Sequence, residues 1–421
     1  MTFLRQPPLR GSSRKGLLCG LDVHRDTVVA CARNATAGVI ALEVRTFGAT
    51  TKELMALSEW LTEHSVTHVA MEATGVYWKP VWHVLEGSFE LVLANAMHIK
   101  NVPGRKTDVN DAMWIADLLA HGLIRGSFVP PAPVQDLRAL TRTRKQLVRE
   151  HAAHVQRVDK TLQDANLKLG SVLTDIMGKS GRAILDAIVR GETDPAKLVL
   201  HIDRRVKASP EHIIEALRGK VTANHRFLLK LHLGQADGLQ AAIDDLDREV
   251  GERLEPFRVS AQRVSQVPGI ADRAAAAIVS EIGVDMSRFQ TSAHLISWAG
   301  FCPKNDESAG KRRSTRLRKG APWLKTVLVQ CAWSATRAKN TYLQAQFLRL
   351  RARRGPKKAI MAVAASMLTA IYHMLKKGVD YHDLGPNHFS GADKTKSVNR
   401  LLRKIENLGF EVTGIREKVA A

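Results

Sequence analysis

Near the start of the chain, apolar and polar positions alternate in short runs. Leu17, Leu18 and Leu21 lead into Asp22, Thr27 to Ala32 is a second β-rich run, and Gly38 to Thr46 a third. Period-two patterning broken by short turns predicts three strands in an antiparallel meander. The pattern then changes. Thr51 to Glu63 has helical spacing, Thr67 to Met71 is a short strand ending on Glu72, and Tyr77 to Glu86 is helical again. Phe89 to Ala94 has the unbroken apolar character of a buried strand. Asp108 to His121 is a helix with Ala112, Ile115, Leu118 and Leu119 along one side. Strands first and α/β alternation afterwards predict a layered α/β domain over residues 16–129.

Pro130, Pro131 and Pro133 end that pattern sharply. Leu137, Leu140, Leu147, Val158 and Leu162 then fall near a heptad seam, interrupted by Arg144, His151 and His154. A second helical block covers about Leu239 to Leu254, with short helices and loops between the two. Residues 130–262 therefore read as a helical arm with coiled-coil character. A small all-α unit is expected over 263–378, followed by a polar tail over 379–421. Residues 1–15 read as a flexible basic arm. The apolar stretch Ala359 to Leu375 is shorter than the ~20 residues of a membrane span. Its large residues Ile360, Val363, Met367, Ile371 and Met374 recur at helical spacing, which predicts a buried helix and no membrane partner.

Charge narrows the function. Of 421 residues, 63 are Lys or Arg and 41 are Asp or Glu, a formal charge of +22, with a pI near 10.1. A chain this basic suits a polyanionic partner, nucleic acid above all. Aromatic residues make up only 5%, so stacking on bases is not the main mode of contact. Cys19, Cys31, Cys302 and Cys331 show no CxxC spacing, which argues against a zinc knuckle and fits a reducing cytoplasm. The basic N-terminus lacks the apolar run and cleavage site of a secretory signal.

Four acids stand where chemistry could use them. Asp22 lies at the end of the first strand in Gly20-Leu21-Asp22-Val23-His24. Glu72 ends the fourth in Met71-Glu72-Ala73-Thr74-Gly75. Asp108 and Asp111 open a helix, on one face by their i, i+3 spacing. Cleavage of a phosphodiester needs an activated attacking oxygen and a stabilised leaving oxygen, and two divalent ions ~3.5–4 Å apart supply both. Mg²⁺, with Mn²⁺ as an alternative, requires hard oxygen ligands of this kind. Each acid also has an ordinary reading: a turn cap for Asp22, a strand-end charge for Glu72, a helix N-cap for Asp108 and a favourable dipole position for Asp111. As a set on one strand–strand–helix frame in a +22 chain, they favour the metal site.

Toward the C-terminus, Val267-Pro268-Gly269-Ile270 followed by Ala274 to Ile282 has the form of a helix-hairpin-helix, in which the turn at Gly269 presents backbone N–H groups to a phosphate. Asn305-Asp306-Glu307-Ser308-Ala309-Gly310 reads as a small-residue loop. The cations Lys311, Arg312, Arg313, Arg316, Arg318 and Lys319 follow it. Ser308 there is a candidate nucleophile beside charge-stabilising cations; a solvated, phosphate-gripping loop without chemistry explains the same composition. A second cluster that includes Arg353 and Arg354 adds phosphate contacts.

These five segments, in this order, resemble the DEDD-type transposases of the bacterial insertion-sequence one-ten family, the bridge-RNA-guided recombinases. The resemblance runs from Gly16 to about Gly378. It implies a RuvC-like domain of RNase H-like α/β architecture, a helical arm and a small helical transposase domain. It maps the family's metal-binding acids onto Asp22, Glu72, Asp108 and Asp111, and its nucleophilic serine onto Ser308, while Lys106, just before Asp108, is a candidate nucleic-acid contact. It further implies a covalent phosphoserine link to DNA, a structured guide RNA, and a homo-oligomer, dimer or tetramer, with a composite active site in the bacterial cytoplasm. Ala309 stands where the family often has Gly. Two other readings of the residues are a metal-dependent endonuclease of the Holliday-junction-resolvase kind, with water as nucleophile, and a DNA-binding protein without catalysis.

Overall fold

The structure is a computed structural model. It describes residues 17–36, 39–95, 99, 111–124, 126–303, 306–308, 310–314, 316–318, 320–389 and 394–414. The chain forms two compact units, Met1–Val129 and Pro130–Ala421.

The first unit is built on a five-stranded sheet. Its strands are β1 (Leu17–Val23), β2 (Thr27–Thr36), β3 (Val39–Gly48), β4 (Val66–Glu72) and β5 (Glu90–Ala94), in the order β3-β2-β1-β4-β5. β1–β2 and β2–β3 pair antiparallel, as the alternating pattern predicts, while β4 and β5 run parallel to β1. The parallel pairs require crossover connections, which α1 (Thr51–Glu63) and α2 (Trp78–Leu85) supply. Side chains alternate between the faces of the sheet. Cys19, Leu21, Val23, Val69 and Met71 pack into one core beneath both helices. Leu18 and Ala70 face the other way, with Ile115, Leu118 and Leu119 of α3 (Asp111–Ala120).

Gly20 controls how closely α3 approaches. A Cβ at Gly20 would lie 2.2 Å from the Ala112 carbonyl oxygen and 2.4 Å from the Ala116 nitrogen. The helix thus rests backbone against backbone on β1, a contact that only glycine permits. The buried Arg33 of β2 adds an ion pair to Asp117 of α3 at 3.4 Å.

In the second unit, α4 (Ala132–Asp164) and α7 (Ala223–Arg253) form a long hairpin. Arg144 pairs with Asp247, whereas near the other end Asp164 meets His225 at 3.0 Å, so the two helices run antiparallel. The structure starts α7 well before the block the sequence pattern marks. Thr222 and His225 form a capping box at its start, and Leu229 and Leu233 are buried within it. Between the long helices, α5 (Lys179–Arg190) and α6 (Pro210–Ala216) pack on the hairpin's tip around Val158, Leu162, Ile184, Ile188, Ile213 and Leu217.

At the base lie α8 (Arg258–Ser265), α9 (Asp272–Ile282), α10 (Ser292–Ala299), α11 (Pro322–Ala335), α12 (Tyr342–Arg354) and α13 (Pro356–Lys377). Leu137 of α4, Val250 of α7 and Ala276 of α9 share a small core. Polar bonds lock the same junction. The Arg138 guanidinium donates to the carbonyls of Ser280 and Glu281, at 3.0 and 2.7 Å, and Arg142 grips the Glu281 carboxylate through two bonds of 2.7 and 2.9 Å. Burial pushes the Arg138 guanidinium down to about 10, with Glu281 opposing, so the group stays charged at neutral pH.

At 22 residues, α13 is long and apolar enough to cross a membrane by length and composition, which corrects the shorter stretch read from the sequence. Ile360, Val363, Met367, Leu368 and Ile371 are nevertheless buried within the protein, and the Tyr372 hydroxyl donates to the Phe289 carbonyl at 2.9 Å. That packing explains its apolarity. The tail carries a further helix, α14 (Lys394–Glu406).

The second unit also departs from the all-helical expectation. β6 (Asp306–Ser308) and β7 (Lys311–Ser314) form an antiparallel hairpin where the sequence suggested a loop.

Candidate functional site

Strand register brings two of the four acids together. Leu21 of β1 pairs with Met71 of β4 in the parallel ladder, so Asp22 and Glu72 occupy the next position at the same strand ends. Both lie two residues beyond Gly20 and Ala70, and therefore on the face that α3 covers. α3 begins at Asp111, one residue before the Ala112 carbonyl that lies over Gly20. One bare glycine thereby brings the start of an acid-bearing helix to the face and strand end that carry Asp22 and Glu72.

Each acid has a polar neighbour. The Asp22 carboxylate lies 3.2 Å from His24 Nε2, and Glu72 accepts a bond from the Thr74 hydroxyl at 3.3 Å. His24 belongs to the Gly20–His24 segment, but its contact with Asp22 was not read from the sequence; a His two residues from a strand-end acid is the signal. Lys106 and Asp108 lie outside the described residues. Among the described residues no group of three His, Cys, Asp or Glu side chains gathers closely enough to hold a metal ion. The donor chemistry itself suits a hard cation: Asp22 and Glu72 offer carboxylate oxygens from neighbouring strands, and no thiol competes. Cys19, Cys31 and Cys331 are free thiols buried in cores, and burial raises all three thiols, Cys31 and Cys331 up to about 11.

The second group of predicted residues centres on the β6–β7 hairpin. Ser308 pairs with Lys311 and Glu307 with Arg312, which places Ser308 beside the turn. Gly310 follows with φ +72 and nothing within 4 Å of where a Cβ would be, so the turn takes a left-handed residue in open space. Backbone contact closes the hairpin's root. Pro303 bridges Leu317, Gly300 and Gly320 pack on one another without side chains, and Lys325 donates to the Arg318 carbonyl at 2.7 Å. Lys311, Arg316 and Arg318 are exposed there, as are Arg353 and Arg354 at the end of α12. Of Ser308, Arg312 and Arg313 only the backbone is described, and Lys319 lies outside the described residues.

Gly269 turns the chain between α8 and α9 with φ +86. A Cβ there would strike the Cys331 carbonyl oxygen at 2.4 Å and the Ala335 nitrogen at 2.5 Å, both in the backbone of α11. Glycine is thus required at this turn for close helix packing, a role the phosphate-binding reading did not include.

The first unit thus carries adjacent strand-end carboxylates, and the second carries exposed cations at the hairpin and at the end of α12. Comparison with known proteins gives the family. Residues 19–167 match the DEDD-type transposase domain of the IS110 family, and residues 261–348 match a domain described as the transposase IS116/IS110/IS902 family. The chain belongs to the IS110 family of transposases, the insertion-sequence one-ten family, whose activity is to cut and rejoin DNA. It is also similar to the transposase for insertion sequence element IS1111A of Coxiella burnetii, with 24% identity over 294 residues, 69% of this chain and 72% of that protein. A transposase binds DNA, and the DEDD class implies dependence on a divalent metal.

Proposed function

We propose that the chain transposes DNA through a serine nucleophile assisted by a carboxylate-held metal, under the guidance of a structured RNA. The observation that carries this reading is the convergence of Asp22 and Glu72 at adjacent parallel strand ends, with the Asp111 helix seated on Gly20 beside them. The strand order β3-β2-β1-β4-β5, with β2 antiparallel, supports an RNase H-like, RuvC-like domain. Asp22, Glu72, Asp108 and Asp111 would hold Mg²⁺, or Mn²⁺ in its place. Bound there, the metal would polarise the phosphate oxygens and stabilise the departing one.

Ser308 stands at a hairpin turn, at the head of a strongly basic segment. In the proposed step its Oγ bonds to a DNA phosphorus and its proton passes to solvent. One P–O bond of the strand breaks, and the departing oxygen takes up a proton to become a hydroxyl. Attack by another DNA hydroxyl reverses the exchange, frees the serine and joins the new strand. Lys311, Arg312, Arg313, Arg316, Arg318 and Lys319 would hold the strand's phosphates, helped by Arg353 and Arg354. The acids of one subunit would serve the serine of another in a homo-oligomer, a dimer or tetramer, in the bacterial cytoplasm. A guide RNA leaves choice of sequence to base pairing, which accords with the low aromatic content.

The test traps the covalent link. Wild type, Ser308→Ala and Asp22→Ala are incubated with end-labelled DNA, RNA and Mg²⁺ and run on a denaturing gel. An adduct from wild type alone supports the mechanism. Asp22-dependent nicking with no adduct would assign the chemistry to water and remove Ser308 from it.

A further inference from the structure

Within the second unit, three cations of α4 crowd around one indole of α11. The Arg142 guanidinium lies 5.4 Å from the ring centre of Trp323, the Lys145 ammonium 5.6 Å and the Arg149 guanidinium 5.8 Å. They stand at i, i+3 and i+7, on one helix face and over about 10 Å of its length. Only one is neutralised: Arg142 is bound to Glu281, whereas among the described residues no carboxylate pairs with Lys145 or Arg149. Lys145 is half-buried and Arg149 exposed.

Cation–π attraction explains one such contact, but an indole has two faces and three like charges repel. Burial lowers the Lys145 ammonium from its usual range and the neighbouring Arg149 lowers it further, with the Glu281 carboxylate opposing them only in part. A bound anion would relieve that repulsion. The cations are spread along the helix rather than focused on a point, which suits successive charges of a polymer better than one small ion.

We infer that Arg142, Lys145 and Arg149, backed by Trp323, form a clamp for the phosphodiester backbone of a nucleic acid. The ligand chemistry is that of consecutive phosphates, with no reading of base sequence. The inference rests on the proposed nucleic-acid function and adds to it a site on the helical arm, built from cations other than those of the hairpin.

Two measurements on the full chain test it. In the first, lysines of the wild type are acetylated with an N-hydroxysuccinimide ester, with and without bound ligand, and each is quantified by mass spectrometry. One arm uses duplex DNA and the other a hairpin RNA, with binding followed by anisotropy. Protection of Lys145 by either ligand, with exposed Lys207 unchanged, supports the clamp and identifies its source. Bound nucleic acid that leaves Lys145 labelling unchanged overturns the clamp alone. Failure of both nucleic acids to bind overturns the proposed function together with it. In the second, salt titrations of DNA binding compare K145Q/R149Q with K207Q/K220Q, which loses the same charge from exposed positions. The clamp requires the slope of log affinity against log salt to flatten by about 1.8 in the first variant, at ~0.9 per phosphate contact. Equal flattening in both variants would refute it.

Discussion

Replacing Gly20 with alanine should damage the carboxylate site more than it damages the fold. The new Cβ would lie 2.2 Å from the Ala112 oxygen and 2.4 Å from the Ala116 nitrogen, where ordinary contact begins at about 3.4 Å. Both obstacles are backbone of α3, so no side chain can swing aside. The helix must retreat from β1 by a little over 1 Å, or β1 must bend. Overpacking of this kind costs about 1–3 kcal/mol. The retreat also carries Asp111, at the first position of α3, away from Asp22 and Glu72. Misplacement of a reacting group by about 1 Å costs on the order of 100-fold in rate. The assay is Mg²⁺-dependent nicking of a labelled duplex at a temperature where both proteins remain folded, as thermal unfolding of the same samples establishes. Gly234→Ala is the control, since its Cβ meets nothing within 4 Å and it lies inside α7. That change should raise stability by about 0.5–1 kcal/mol and leave nicking unchanged. A folded Gly20→Ala protein that nicks at the wild-type rate would show that α3 does not position the site.

Other outcomes follow from the packing. Glu281→Ala strands the half-buried Arg142 guanidinium and should lower the free energy of unfolding by about 3 kcal/mol, read from denaturant titration. Gly269→Ala combines a positive φ with contact against the backbone of α11, so the unfolding midpoint should fall even without nucleic acid; an unchanged midpoint with weakened DNA binding would instead favour a phosphate-holding turn. His64 bonds the Trp60 carbonyl and the Glu43 carboxylate, which raise its pKa, while that of Glu43 is lowered chiefly by His64. The histidine's contribution fades as pH rises through its folded pKa, and the carboxylate's as pH falls through its own. The melting difference between wild type and His64→Ala should therefore be greatest at roughly pH 5–6 and shrink on either side.

The first unit was readable because its strands bury one face or both, so composition and periodicity mark them: the Thr51–Glu63 helix, for example, appears with the bounds the pattern predicts. Asp22 and Glu72 could be placed at strand ends from the same pattern, but not on the same face, which depends on the Leu21–Met71 register. The seating of α3 on Gly20 is a contact between residues some ninety positions apart, and periodicity carries no trace of it. The β6–β7 hairpin was missed because Asp-Glu-Ser and Lys-Arg-Arg-Ser contain no apolar residue to alternate. The first half of α7 was hidden for a different reason. Gly234 and Gly238 each weaken helix propensity by about 1 kcal/mol, and packing against α4 overrides it. Asp108, which the resemblance assigns to the metal, lies outside the described residues.

The antiparallel arm restricts how this protein can change in length. Arg144 with Asp247 and Asp164 with His225 are rungs fixed at two heights of one ladder. An insertion in α4 alone would shift every rung beyond it, so a viable change of length must occur in both rails at once. Seven residues added to each would carry the tip outward by about 10 Å and leave the base undisturbed. Relatives with longer or shorter arms should therefore differ by matched pairs of insertions, and the arm would behave over evolutionary time as a ruler that grows in whole turns.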